Sequence, residues 1–171
     1  AMQENYAPGS IFKIVTGLAC LESGLDPGRM IYNPSYIYVG RRLIDDTAPA
    51  GGYDFHRGFI RSSNTSLITN WLRAGIESIV KLGQRLHWGE RRGLLPGQET
   101  GGFLPSLAMV RSGWVAGDTA NICIGQGRLA VTPLQMALTT AAVANGGKVL
   151  WPRLVDRIEP QDLHTEEEVE H

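Results

Sequence analysis

Cysteine, charge imbalance, long apolar runs and strand-like segments are all scarce in this chain, and each shortage removes a class of function. Cys20 and Cys123 are the two cysteines among 171 residues, too few for a disulfide framework and not in a metal-type spacing. Both read as free, partly buried thiols. Sixteen Lys and Arg oppose seventeen Asp and Glu, for a formal net charge of −1. With no basic run either, nucleic acid is excluded as the natural partner. No stretch of about twenty apolar residues occurs, so nothing here reads as a membrane span. The first residues show no charged-then-apolar leader pattern. Strand-like sequence is confined to Tyr36–Val39 and a weak piece near Val149–Val155.

What is present is a globular composition, 43% hydrophobic and 19% charged, at a length that suits one domain with a real core. Helical periodicity dominates. Helices are expected from about Ser10 to Ser23, Thr65 to Ala74, Ile76 to Leu86 and Thr132 to Asn145, with a short turn over His56–Arg61. Thr132 and Pro133 form a start signal, and Asn145-Gly146-Gly147 a stop. Residues 26–55, 89–105 and 112–127 read as loops or irregular structure. The end, 159–171, is acidic and polar and reads as a tail or frayed helix.

The stretch Tyr6-Ala7-Pro8-Gly9-Ser10-Ile11-Phe12-Lys13 carries the sharpest chemistry. Pro8 and Gly9 place a helix start at or near Ser10. The residues that follow are apolar on nearly every side, so the helix is buried. Lys13 is its single basic residue, and desolvation favours the neutral amine, a general base. Positions i and i+3 share a face, so this amine can activate the Ser10 hydroxyl, with N–H groups at the helix start beside it to hold an oxyanion. The bland alternative makes Ser10 a helix cap and lets Lys13 snorkel to water.

Ser62-Ser63-Asn64 is a second constellation. A hydroxyl and an amide two residues apart can relay a proton and hold a polar substrate arm; they can equally cap the next helix. Asp45, Asp46, Asp54 and His56 admit a metal site, although turn-forming aspartates in a hydrated loop fit them better. His87-Trp88 reads as packing at a helix end, Glu90-Arg91-Arg92 as a solvated charge run and Trp114 as a loop anchor. Asp118 and Asn121 either line a site or cap.

Pro-Gly-Ser-Ile-Phe-Lys followed about fifty residues later by Ser-Ser-Asn-Thr resembles the penicillin-binding protein transpeptidases. The resemblance continues through Ile124-Gly125-Gln126-Gly127-Arg128-Leu129-Ala130-Val131-Thr132-Pro133-Leu134-Gln135 and Asn145-Gly146-Gly147. Glu99-Thr100-Gly101-Gly102-Phe103-Leu104-Pro105-Ser106 is similar to a loop of the elongation-type class B enzymes. The resemblance implies that Ser10 is acylated by D-alanyl-D-alanine stems and by penicillin and other β-lactams. It implies that Lys13 takes the serine's proton, that Ser62 passes a proton to the leaving amine and that Asn64 binds the substrate amide. No cofactor or metal is implied.

The family's Lys-Ser/Thr-Gly motif is absent from these residues, as are the strands that flank the nucleophile helix. The expected fold is therefore mainly α: the helical portion of the α/β serine-acyltransferase fold (β-lactamase/transpeptidase-like) with most of the sheet missing. Residues 1–158 form the partial transpeptidase domain, and 159–171 the tail. Such a fragment is expected to be weakly active or inactive and to self-associate through the face of Ile11, Ile14, Val15 and Leu18. The resemblance puts the parent in the cytoplasmic membrane by an anchor, with this domain on the extracytoplasmic side and elongation proteins as partners; the fragment itself is expected to be soluble. A β-lactam sensor or class D-like β-lactamase, and a non-catalytic scaffold module, are the competing readings.

Overall fold

Pro8 and Gly9 set the entry to the first helix. Gly9, at φ +58°, turns the chain, and Gly9–Phe12 form one 3-10 turn that runs directly into α1, Lys13–Glu22. The computed structural model describes residues 1–95 and 97–158, so the acidic tail lies outside the described residues. The helix therefore begins one residue before Ser10, which is not its cap: the position before the turn is Pro8, and no side chain caps it. A cap needs extended backbone, whereas Ser10 already lies within the turn.

Around α1 pack α3 (Asn64–Ala74), α4 (Ile76–Arg85) and α6 (Ala116–Cys123). Phe12, Val15, Ala19 and Cys20 fill the centre with Ile68, Trp71, Ile79, Ala120 and Cys123. Thr16 Oγ1 donates to the Cys123 carbonyl at 2.8 Å, pinning α1 to the end of α6. Both cysteines are buried free thiols. Burial pushes the Cys20 thiol up to about 12.

The connection from α1 to α2 (Phe55–Ile60) carries two nested antiparallel pairs. The inner hairpin joins β2 (Tyr36–Val39) to β3 (Arg42–Asp45); the outer pair joins β1 (Ile31–Asn33) to β4 (Gly51–Tyr53). Val39 and Ile44 face the core, while Tyr36 and Tyr38 stay exposed, the alternation of a half-buried ribbon. The expected strand Tyr36–Val39 is present; its partner β3 is as long but buries Ile44 alone, and β1 and β4 are too short to show a period. The weak signal near Val149–Val155 forms no strand.

Two close approaches fix α2. A Cβ on Gly17 of α1 would meet the Phe55 and Phe59 rings at 3.2 Å, and one on Gly58 would lie 2.2 Å from Ser66 Oγ of α3. Asp54 caps α2 by accepting from Arg57 N at 2.7 Å. The α2–α3 corner, which holds Ser62, is thereby placed over the start of α1.

One helix, α6, occupies the stretch 112–127 read as irregular, and another lies just before it. Alongside α6, α5 (Leu107–Arg111) is capped by Ser106 Oγ. The α6 sequence contains Gly117, Asp118 and Asn121, poor helix formers, and burial of Ala120, Ile122 and Cys123 overrides their propensity. The last helix, α7 (Pro133–Ala144), starts with a capping box: Gln135 N donates to Thr132 Oγ1, and Thr132 N to Gln135 Oε1. Trp88 binds Thr139 of this helix through its indole N–H at 2.9 Å and packs on Phe12.

The apolar face expected to lie bare is mostly covered. Val15 is fully buried and Ile14 and Leu18 are half-buried; Ile11 alone of the four is exposed. Helices α3 and α4, packed along α1, supply most of that cover. Arg92 also departs from expectation: it is buried, lies 4.5 Å over the Trp151 ring and donates to the Leu150 carbonyl. A stacked guanidinium can be buried where an ammonium would not be.

Candidate active site

The site is assembled from the α1 start, the α2–α3 corner and a strut, residues 124–131. The strut holds the approach to Ser10 at two points. Gly9 N donates to the Gly125 carbonyl at 2.9 Å, and Tyr6 exchanges both backbone hydrogen bonds with Val131. On its other edge the strut pairs Ala130 with Phe103. Gly125 has φ +72°, and a Cβ there would fall 2.1 Å from the Gly9 carbonyl oxygen. Only a glycine fits that contact.

Residues three apart eclipse one another in a 3-10 turn. The turn Gly9–Phe12 thus stacks Ser10 over Lys13 more directly than α-helix would. Ser10 is exposed and Lys13 is buried, 4% accessible. The Lys13 amine does not snorkel. It reaches the α2–α3 corner, where it bonds the Ser62 carbonyl, Ser62 Oγ at 3.0 Å and Asn64 Oδ1 at 2.7 Å.

Those three contacts suit either protonation state. The ammonium form donates to all three oxygens. The neutral amine donates two N–H bonds, to the carbonyl and the amide oxygen, and accepts one from the Ser62 hydroxyl. Desolvation lowers the Lys13 pKa, while the negative charge of Asp46 opposes part of that shift. The direct Ser10–Lys13 hydrogen bond expected from the i, i+3 spacing is not among the described contacts, because Ser62 and Asn64 already use the amine's bonding directions.

Ser62 sits at φ +52°, a left-handed conformation that an L-residue adopts at a cost. This backbone turns both its hydroxyl and its carbonyl toward Lys13. Ser63 is fully buried and caps α3, accepting from Ser66 N at 3.0 Å. The Asn64 amide is fixed at both ends, its oxygen on Lys13 and one N–H on the Asp45 carbonyl at 3.1 Å. An amide nitrogen carries a second N–H, which can serve a ligand. The structure thus brings Lys13, Ser62 and Asn64 into direct contact and places Ser10 one turn away.

The model of the penicillin binding protein transpeptidase domain matches residues 1–171. The chain belongs to that family. It is 34% identical over 168 residues to the penicillin-binding protein PbpB of Mycolicibacterium smegmatis, covering 95% of this chain and 25% of that protein. It is 27% identical over 164 residues to the peptidoglycan D,D-transpeptidase MrdA of Acinetobacter baumannii, covering 91% of this chain and 24% of that protein. The crystal structure of Pseudomonas aeruginosa PBP2 in complex with WCK 5153 superposes with a TM-score of 0.82 at 26% identity, over 94% of this chain and 40% of that one. The chain therefore spans about a quarter of the length of these curated relatives, and its mainly helical architecture is the helical part of the transpeptidase fold.

Within this transpeptidase domain the other candidates have local roles. Asp54 caps α2. Asn121 accepts from Arg42, and its carbonyl holds the turn at Gln126. His87 pairs with Glu90 at 2.9 Å, and Trp114 packs against the core. Two residues of consequence escaped the motif reading. One is Gly125, concealed in a glycine-rich run. The other is Asp46, which sequence inspection grouped with three neighbours as a turn or metal ligand. It accepts from Ser63 Oγ at 2.5 Å and from the backbone N–H groups of Asn64 and Thr65, each at 3.0 Å. Burial alone would raise its pKa, but these hydrogen bonds, with those from Ser63 foremost and Ala48 N–H included, hold it below the usual carboxylate value.

Proposed function

We propose that the protein carrying this chain is a serine-type peptidoglycan D,D-transpeptidase, that Ser10 is its nucleophile, and that β-lactams acylate the same serine. The observation that carries this reading is the buried Lys13 amine gripped by Ser62 and Asn64 one 3-10 turn from Ser10. Ser10 Oγ attacks the carbonyl between the two D-alanines of a stem peptide. Its proton passes to the neutral Lys13 amine, directly or through the Ser62 hydroxyl that already touches that amine. Collapse of the tetrahedral intermediate breaks the C–N bond, and the departing D-alanine takes its proton from the Lys13–Ser62 pair. The amine of a second stem then attacks the ester and frees Ser10. The free N–H of Asn64 holds the amide side of the stem, and the Ser10 N–H supplies one oxyanion donor. The Lys-Ser/Thr-Gly strand, which supplies the second donor and the grip on the substrate carboxylate in the family, belongs in this reading to a part of the protein outside the 171 residues. Loss of one oxyanion donor costs about 3–4 kcal/mol of transition-state stabilisation, so the isolated chain turns over little.

Solved relatives support the ligand class and the partners. Penicillin binding protein 3 of Mycobacterium tuberculosis has been captured with aztreonam and with ampicillin, and PBP2 of Helicobacter pylori with MreC. By this analogy the parent works with cell-wall elongation proteins, anchored in the cytoplasmic membrane with the site on its outer side. Among the described residues no helix is long and apolar enough to cross a membrane. The division into a partial domain, 1–158, and an acidic tail, 159–171, is part of the same reading.

Mass spectrometry of the full-length protein after exposure to a labelled penicillin tests the proposal. The adduct is expected on the peptide containing Ser10 and is expected to vanish in Ser10→Ala. An unlabelled Ser10 in folded, full-length protein would overturn it.

A further inference from the structure

We propose that Asp46 is a positioning residue of this site: its carboxylate holds the strained Ser62-Ser63-Asn64 corner in the shape that presents Ser62 and Asn64 to Lys13. The inference rests on the transpeptidase reading for its consequence but on geometry for its substance.

Five donors converge on this one side chain. Ala48 N and Asn64 N reach Oδ1 at 3.1 and 3.0 Å. Ser63 Oγ, Thr65 N and Asn33 Nδ2 reach Oδ2 at 2.5, 3.0 and 3.1 Å. A carboxylate is acceptor-only, so every one of these bonds is satisfied at once. The neutral isostere cannot do this: an asparagine amide turned either way sets its NH2 against at least two donors.

The three residues after Ser62 each give Asp46 one bond: a hydroxyl from Ser63 and backbone N–H groups from Asn64 and Thr65. Their backbone is thereby fixed in the first turn of α3 on one side of Ser62; on the other, Ser62 N and Ser63 N close α2 on the Phe59 and Gly58 carbonyls, each at 2.9 Å, and between these two anchors Ser62 is confined to its left-handed conformation. Strain of this kind persists where the surroundings over-determine it. Asn33, fully buried, makes the lock rigid: its amide nitrogen bonds both Asp46 and Ser63, and its oxygen accepts from Ser35 N at 2.8 Å. The ribbon β1–β4, which sequence inspection leaves without a task, is thus the mount that delivers Asn33 and Asp46 to the corner.

Asp46 also acts on Lys13 through its charge, opposing the effect of desolvation. Other charges on the packed elements are engaged elsewhere. Glu22 of α1 pairs with Arg85 of α4, and Glu77 of α4 pairs with Lys81 and Arg111. Asp45, His56 and Arg61 beside the corner are exposed, Arg73 lies at the far end of α3, and Asp118 lies in the first turn of α6. Removing the Asp46 charge and loosening the Ser62 carbonyl both favour the neutral amine, so both move the Lys13 titration to lower pH.

The test uses the full-length protein and two readouts: an NMR titration of the Lys13 Cε carbon in 13C-lysine-labelled protein, and the penicillin acylation rate of Ser10 resolved into a saturating rate and a half-saturation concentration. Asp46→Asn is expected to lower the saturating rate on the order of 10²-fold, with the half-saturation concentration changed less than about threefold. It is expected to shift the Lys13 titration downward. Asp46→Glu restores the charge and is expected to return the titration toward wild type while recovering part of the rate. Ser63→Ala, a milder change that keeps the charge, covers the case in which Asp46→Asn does not fold, and is expected to slow acylation several-fold. Asp26→Asn, whose carboxylate serves a local turn to Gly28 N, is the control. Folded Asp46→Asn, or failing that Ser63→Ala, with wild-type titration and wild-type rate overturns the proposal. A loss confined to the half-saturation concentration also overturns it. If wild-type Ser10 takes no penicillin while Asp46→Asn still shifts Lys13, the transpeptidase reading falls and the positioning role stands.

Discussion

Replacing Gly125 with alanine separates the seat of Ser10, the proposed nucleophile, from the serine itself. The added Cβ would lie 2.1 Å from the Gly9 carbonyl oxygen and 2.7 Å from its nitrogen. Both are backbone atoms, so no side chain can swing aside. An ordinary C···O contact needs about 3.3 Å, and the turn carrying Ser10 must therefore back away by roughly 1 Å. That movement also breaks the 2.9 Å bond from Gly9 N to the Gly125 carbonyl. The left-handed backbone at residue 125 adds about 1–2 kcal/mol of strain. A displacement of about 1 Å in a reacting group can cost on the order of 10²-fold in rate, so the effect on acylation should exceed the effect on stability. Stopped-flow acylation with a fluorescent penicillin, run on the full-length protein beside a thermal melt, reads both quantities. A Gly125→Ala variant that melts within a few degrees of wild type and acylates Ser10 at least tenfold slower fits this account. Wild-type acylation at wild-type stability would show that the strut does not hold the turn.

Further outcomes are expected at three positions. Gly58→Ala drives a Cβ to 2.2 Å from Ser66 Oγ and should destabilise the protein by about 1–3 kcal/mol in urea unfolding; Ser66→Gly in the same chain should return part of that loss, and strict additivity of the two changes would refute direct contact. Ser62→Gly removes the hydroxyl but tolerates φ +52°, so it should be more stable than Ser62→Ala by about 1 kcal/mol while both acylate slowly; a less stable Ser62→Gly would mean the backbone there is not strained. Asp46 gives a pH signature. Its folded pKa lies below the unfolded value of about 3.9, so its stabilisation is present above that value and is lost as pH falls through the folded pKa. The stability gap between wild type and Asp46→Asn should accordingly be constant above about pH 5 and narrow below about pH 4, and a gap that widens on acidification would contradict the assignment.

The helical skeleton was legible wherever local signals agreed with burial. Thr132-Pro133 and Gln135 announce α7, and the capping box is there. The boundaries of α3 and α4 follow from Ser63, Gly75 and the apolar spacing between them. Failure came where tertiary packing overrode propensity. The α6 sequence, with Gly117, Asp118 and Asn121, is an indifferent helix until Ala120, Ile122 and Cys123 are buried in the core it shares with α3 and β2. Arg92 carries the same lesson in charge: the neighbouring Glu90 and Arg91 argue for solvent, and nothing nearby in sequence announces the ring of Trp151 that covers it.

The site divides along a similar line. Ser10, Lys13, Ser62 and Asn64 stand in short motifs whose spacing has a chemical meaning, so they could be named before any coordinates. Asp46 and Gly125 act through backbone atoms far along the chain: Asp46 through the N–H groups of residues 64 and 65, and Gly125 through the carbonyl of residue 9. A backbone partner leaves no mark on the sequence, since any residue supplies an N–H or a C=O. The groups proposed to react are therefore readable, and the groups proposed to aim them are not. Ser62 shows why the second set is needed. Its position asks for a left-handed backbone, which glycine adopts freely, and for a hydroxyl, which glycine lacks. Serine meets both demands only if its surroundings hold the backbone in place: Ser62 N and Ser63 N close α2 on the Phe59 and Gly58 carbonyls, each at 2.9 Å, and the donors converging on Asp46 fix the chain that follows.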